Sequence, residues 1–172
     1  AGGLAIFISF AISSLVFLPL IVTRVHFFST YFEYVFPIVV AGAVIILTGL
    51  IDDVRELAPL PKILGILFAA LIIWFFTDFH FDSFKIPFGG PLLVFPTWLA
   101  FCLTVLWIVA ITNAINLIDG LDGLVAGVSI ISLLTMGIVS YFFLYDSNIF
   151  LSLTIFVLVA AIAGFLPYNY HP

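Results

Sequence analysis

Charge is what this sequence has least of. Of its 172 residues four are Lys or Arg and nine are Asp or Glu, so that 8% are charged against 65% hydrophobic. A soluble domain is roughly 45–50% apolar and about 25% charged. So little polarity could not cover a water-soluble surface, and a mean hydropathy of +1.42 makes lipid the main solvent. The shortage of Lys and Arg, with a net charge of −5, excludes nucleic acid as a partner, because no basic stripe exists to meet phosphates. A single cysteine, Cys102, excludes an intramolecular disulfide and leaves the redox compartment unread. The apolar N-terminal run up to residue 23 lacks a basic start and is too long for a signal-peptide core, so it reads as a membrane span. HExxH, GxSxG, P-loop and GxGxxG patterns are all missing, which removes zinc-peptidase, serine-nucleophile and dinucleotide chemistry. No repeat, low-complexity tract or linker divides the chain, and 1–172 reads as one transmembrane domain.

What is present is a series of apolar runs. A hydrocarbon core about 30 Å thick takes roughly 20 helical residues. The scattered charges cut the chain into pieces of that size: 4–22, 34–51, 60–77, 96–116, 123–144 and 148–166. The predicted fold is all-α, a polytopic membrane bundle of about six helices. The third helix is the shortest, because its uncharged stretch, 63–77, covers about 22 Å at ~1.5 Å per residue. It spans if Lys62 snorkels. Residues 79–95 differ in kind. They alternate imperfectly and turn at Gly89-Gly90-Pro91, which predicts a short hairpin outside the membrane, with a partly buried loop as the alternative.

Each helix crosses once, so connections alternate sides. Residues 52–59, 117–122 and the tail 167–172 fall on one side with the N-terminus. Residues 23–33, the hairpin and 145–147 fall on the other. The first side carries Asp52, Asp53, Arg55, Glu56, Lys62, Asp119 and Asp122. The second carries Arg24, Glu33, Asp78, Asp82, Lys85 and Asp146. Lys and Arg are balanced between the sides, so the positive-inside rule gives no orientation.

Two segments carry candidate chemistry. GLIDDVRELAPLPK, residues 49–62, puts the adjacent carboxylates Asp52 and Asp53 where helix 2 leaves the membrane. Charge at the hydrocarbon edge costs free energy and marks a functional candidate. Adjacent acids repel, so one becomes a better base or a cation sits between them. Lys62 lies where it could reach an interfacial phosphate. The plain alternative is a solvated end to the helix. NAINLIDGLDGL, residues 113–124, has Asn113 and Asn116 three apart on one helical face, then Asp119 and Asp122, each before a glycine. Asp-Gly pairs suit turns with positive φ, and an all-oxygen donor set is what Mg²⁺ prefers. Two capped turns are the plain alternative, which leaves unexplained two asparagines buried at that spacing. His26 and His80 lie beside aromatics and read as interfacial side chains. Asn169 and His171 read, on their own, as tail polarity.

In order along the chain, GGLAI at 2–6, GLIDDVREL at 49–57 with Lys62, NAINLIDGLDGLVAG at 113–127 and FLPYNY at 165–170 resemble the polyprenyl-phosphate N-acetylhexosamine-1-phosphate transferases. The likeness is to the bacterial undecaprenyl-phosphate GlcNAc-1-phosphate branch. In the related phospho-N-acetylmuramoyl-pentapeptide transferases the Asp-Asp pair is usually followed by tyrosine, where Val54 stands here. The resemblance implies that a lipid phosphate, undecaprenyl phosphate, attacks the β-phosphate of a UDP-sugar, giving a lipid-linked diphosphate sugar and UMP. It implies a plasma-membrane protein with its acidic side cytoplasmic and its hairpin extracytoplasmic, and a homodimer fits. Asp52 and Asp53 resemble the catalytic pair, one of them deprotonating the lipid phosphate, and Asp119 lines the site. Lys62 and Asn113 would contact that phosphate, Asp122 the uracil, and Asn169 belongs with the substrate-binding set. Asn116 would ligate Mg²⁺, or Mn²⁺ in its place. Phosphoryl transfer needs charge neutralisation and alignment more than covalent chemistry, which agrees. Members of the family run to about ten spanning helices. A metal-binding Gly-Asp-Thr-Gly-Ser segment and a later His-rich loop would follow Pro172, so the resemblance implies a fragment that is inactive alone. Two other readings compete. A transporter or ion-binding module predicts charges near mid-span. A structural subunit predicts that alanine at Asp52, Asp53 or Asn116 is harmless.

Overall fold

The computed structural model describes residues 2–17, 25–55, 58–118, 123–143 and 149–169, with side chains from residue 30 onward in the second stretch. Among them the helices are α1 (Gly2–Ile12), continued by a π-helical turn Ser13–Phe17, α2 (Val25–Arg55), α3 (Pro59–Phe76), α4 (Thr97–Ile118), α5 (Leu124–Phe143) and α6 (Ile149–Asn169). Two short strands, β1 (Ser83–Lys85) and β2 (Leu92–Val94), lie between α3 and α4. In lipid each backbone polar group must be satisfied within its own segment, which is why uninterrupted apolar runs become helices. From α2 to α6 the helices are long and apolar enough to cross a membrane, whereas α1 with its π turn is a shorter apolar helix. The all-α polytopic fold expected from composition is the fold observed.

The largest departure is at α2. Hydropathy starts it at residue 34, after Glu33, but the helix begins at Val25 and contains Pro37. Most of the expected 23–33 connection is therefore helical, and Glu33 lies within a helix rather than in a loop. The length explains how. Thirty-one residues make about 46 Å of helix against a core of about 30 Å. Glu33 is some 12 Å from the start, within the excess that a polar interface can take. Pro37 has no N–H to give the Glu33 carbonyl, the kind of local signal that reads as a helix start. At the other end of the chain α6 runs past Pro167 to Asn169, since a proline in the last turn forfeits one bond and does not end the helix.

The chain forms two compact units, one of Ala1–Val39 with Ile115–Pro172 and the other of Val40–Ala114. In the first, Phe10, Tyr31, Val35 and Val39 form a buried cluster against Phe150, Leu153 and Val157 of α6. The Phe150 ring lies 5.9 Å from Tyr31 and 6.0 Å from Tyr34. Small residues bring α5 and α6 together: a Cβ on Gly137 would press on Phe156 and Ile155. Buried Ser152 donates to Ser140 Oγ at 3.0 Å across the same seam. Lipid supplies no hydrophobic force between helices, so close packing and such bonds hold them.

In the second unit, Gly65 of α3 lies directly against the Thr48 side chain of α2, whose Oγ1 donates to the Val44 carbonyl at 2.8 Å. Ile66, Ala69, Ala70, Ala100 and Thr104 are buried. The Trp74 ring meets Phe101 of α4 edge-on at 5.2 Å. The strands pair antiparallel from Ser83↔Val94 to Lys85↔Leu92. Ile86 N donates to the Pro91 carbonyl at 3.2 Å and Phe95 N to the Asp82 carbonyl at 2.8 Å. The expected hairpin is present, with its turn slightly earlier than Gly89-Gly90-Pro91: Phe88 and Gly89 take the positive φ values, 63° and 86°. Glycine adopts that region freely, phenylalanine at a cost.

Candidate functional site

The chain reverses between α2 and α3 within a few residues. Ala58 precedes α3 without a side-chain cap, and prolines sit in the first turn, where a missing N–H costs nothing. Because Gly65 allows α3 to run close beside Thr48, the two helix ends stay in register. One α2 turn beyond Thr48 is Asp52, and three residues before Gly65 is Lys62. These two meet: Lys62 Nζ donates to Asp52 Oδ2 at 2.8 Å. About a quarter of each side chain is exposed, 27% for Lys62 and 23% for Asp52. A half-screened cation and carboxylate thus sit together at a membrane-helix end, where sequence reasoning had given each a separate task. Asp53, the next residue, is exposed and makes no ion pair among the described residues. A shallow groove of about 350 Å³ runs up this end of α2, lined by Leu47, Leu50, Ile51, Val54 and Arg55.

Asn113 belongs to the same unit. Its level follows from the contact between Trp74 and Phe101. Lys62 is twelve residues before Trp74 on α3, and Asn113 is twelve after Phe101 on α4. Both counts correspond to about 18 Å of helix in the same direction along the bundle. Asn113 therefore lies toward the same end of this unit as the Asp52–Lys62 pair. It is half-buried, and its Nδ2 donates back to the Val109 carbonyl at 2.9 Å. Asn116 follows one turn later on α4 and is exposed, so the expectation that both asparagines are buried is corrected. The reason is positional: Asn116 lies in the last turn of a helix whose surface faces outward on most sides.

Asp119, Asp122 and His171 lie outside the described residues, as does the side chain of His26. Gly123, just after Asp122, has φ 73° and accepts from Gly127 N at 2.9 Å to start α5. That is the positive φ expected of the second Asp-Gly pair. Asn169 is the last residue of α6 and is partly buried. His80 lies beside an aromatic residue as expected: its Nε2 is 2.9 Å from the Trp74 carbonyl and its ring 4.0 Å from the indole. Among the described residues no three His, Cys, Asp or Glu side chains gather as a metal site. Sequence reasoning missed Thr48 and Gly65, whose contact sets the register of the charged pair. A small residue near a helix start opposite a hydroxyl was the available signal.

Glycosyl transferase family 4 matches residues 35–172. The chain is 40% identical over 172 residues to a probable undecaprenyl-phosphate N-acetylglucosaminyl 1-phosphate transferase of Bacillus subtilis, covering 99% of this chain and 44% of that protein. It is 36% identical over 177 residues to a decaprenyl-phosphate N-acetylglucosaminephosphotransferase of Mycolicibacterium smegmatis, covering 99% and 43%. A phospho-N-acetylmuramoyl-pentapeptide-transferase of Listeria innocua is 30% identical over 107 residues, 60% of this chain and 32% of the relative. The chain thus spans less than half the length of these relatives. No solved structure matches.

Proposed function

This chain belongs to glycosyl transferase family 4, and from that premise we propose that the protein moves a sugar-1-phosphate, GlcNAc-1-phosphate above all, from a UDP-sugar to undecaprenyl phosphate. An oxygen of the lipid phosphate attacks the β-phosphorus, the bond bridging the two phosphates breaks, and UMP leaves. The observation that carries this reading is the Asp52–Lys62 pair at a helix end beside an exposed second carboxylate. Asp52 holds the Lys62 ammonium in place. Lys62 contacts the lipid phosphate. Asp53, exposed beside the pair, takes the proton from that phosphate. Asn113, toward the same end of the unit, adds an amide to the same anion. The groove from Leu47 to Arg55 suits the first prenyl units, which enter from the bilayer beside the pair. Asp119 lines the site, Asp122 contacts the uracil and Asn169 completes the substrate-binding set.

Asn116 offers a side-chain oxygen, the donor type that Mg²⁺ takes. When bound, Mg²⁺, or Mn²⁺ in its stead, supplies neutralisation of the diphosphate charge. The acidic ends face the cytoplasm of the cell membrane, where UDP-sugars are made, and the protein is a homodimer in this reading. The test is product formation from labelled UDP-GlcNAc and undecaprenyl phosphate by the whole protein in vesicles. Removing a general base typically costs 10²–10⁴-fold, so Asp53→Asn is expected to lose about 100-fold or more. Normal turnover by Asp53→Ala would sink the assignment and favour a subunit without chemistry.

A further inference from the structure

The segment between α3 and α4 does not stand clear of the membrane helices. Phe81 N donates to Thr104 Oγ1 at 3.0 Å, and the Phe81 ring meets Trp107 edge-on at 5.5 Å. Thr104 and Trp107 are seven and ten residues into α4, counted from Thr97. At ~1.5 Å per residue they lie about 10 and 15 Å below the start of that helix. The chain leaving α3 therefore doubles back along the flank of α4 before it forms β1. From Phe81 to Phe88 a fully extended chain reaches about 23 Å. Less the 10 Å of descent, the tip can rise only about 13 Å above the first turn of α4. That ceiling allows the tip to lie within the polar layer of a bilayer, about 5–7 Å thick on each side.

The side chains fit the same place. Phe84, Ile86, Phe88, Leu92, Leu93 and Val94 are all exposed, Phe88 completely so. Register and alternation sort the strands into two faces: Phe84 opposite Leu93 on one, Ser83 and Lys85 opposite Val94 and Leu92 on the other. One face is thus apolar and the other mixed, with a hydroxyl and a cation. A two-stranded hairpin of this kind is marginal in water, and its open edges cannot enter dry hydrocarbon. The headgroup layer satisfies both demands.

We propose that this hairpin is a membrane-docking element: it lies in the interfacial layer with Phe84 and Leu93 toward the acyl chains, Phe88 inserted at its tip, and Ser83 and Lys85 toward the lipid phosphates. The surface it recognises is the bilayer that α3 and α4 already span. Nitroxide labels on single cysteines test this in the whole protein, with Cys102→Ser, in phosphatidylcholine–phosphatidylglycerol vesicles. At Phe88→Cys and Leu93→Cys, collisions with oxygen are expected to exceed those with a water-soluble nickel chelate several-fold. At Ser83→Cys the preference reverses. Chelate-dominated collisions at all three positions place the hairpin in water and overturn the proposal. Low collision with both reagents at Phe88→Cys means that protein covers the tip, a second copy or another polypeptide, and overturns it equally. All three positions are exposed, and a loss of folding at one leaves the other two to decide.

Discussion

Placing a single methyl group on Gly65 tests how the charged pair is aligned. An ideal Cβ there would collide with Thr48 Oγ1 and Cγ2 and stand 3.0 Å from Thr48 Cβ. Threonine is stiff at χ1, and its hydroxyl is engaged by the Val44 carbonyl at 2.8 Å, so the side chain has no easy retreat. Overpacking of this kind costs about 1–3 kcal/mol. Alanine in place of helical glycine returns about 0.5–1 kcal/mol. The net expectation for Gly65→Ala is a loss near 1 kcal/mol, roughly a fivefold fall in the folded-to-unfolded ratio. In a Thr48→Gly background the obstacle is gone, and the same change should stabilise by about 0.5–1 kcal/mol. The sign reversal is the signature, read from a double-mutant cycle on reversible unfolding in mixed micelles. Transfer activity should fall more than stability in Gly65→Ala, because displacing α3 separates Lys62 from Asp52. If Gly65→Ala is neutral, or equally harmful with and without Thr48, the α2–α3 crossing is not what sets the register.

Two further outcomes follow from particular contacts. Lys62→Met should cost about 1–3 kcal/mol, between the values for exposed and fully buried pairs, and most of that loss should vanish when Asp52→Asn is also present; a cycle on unfolding reads both. Ser152→Ala should cost about 0.6–1.5 kcal/mol by leaving the Ser140 hydroxyl buried without its donor, while the double alanine variant should lose less than the sum of the singles; the same unfolding measurement checks it.

Much of the architecture was legible because lipid allows so few solutions. The long apolar runs had to be helices, and α3, the shortest candidate, formed from Pro59 to Phe76 as one. The start of α2 was not legible, since hydropathy treats Glu33 as a stop, whereas a helix longer than the core can hold an acid beyond the membrane edge. Pro37 reinforced the mistake by resembling a first-turn residue. At the site, adjacency in sequence identified Asp52, Asp53 and Lys62 as a group. It could not reveal that Lys62 is held by Asp52, because that depends on one close approach, Gly65 against Thr48, between two uncharged residues on different helices. Asn113 was legible as a candidate by its spacing from Asn116. Its bond to Val109 follows only from the half-buried setting of α4.

The shortness of α3 has its own consequence. Eighteen residues make about 27 Å of helix, slightly less than the hydrocarbon they cross. Such a helix has no slack, so the lysine one turn from its end is tethered to the boundary between oil and water on its side. Thickening the bilayer by a few ångströms would draw that ammonium toward the acyl chains or thin the membrane locally. The chemistry of the helix end is thereby tuned by acyl-chain length, a property of the host membrane rather than of any bound substrate.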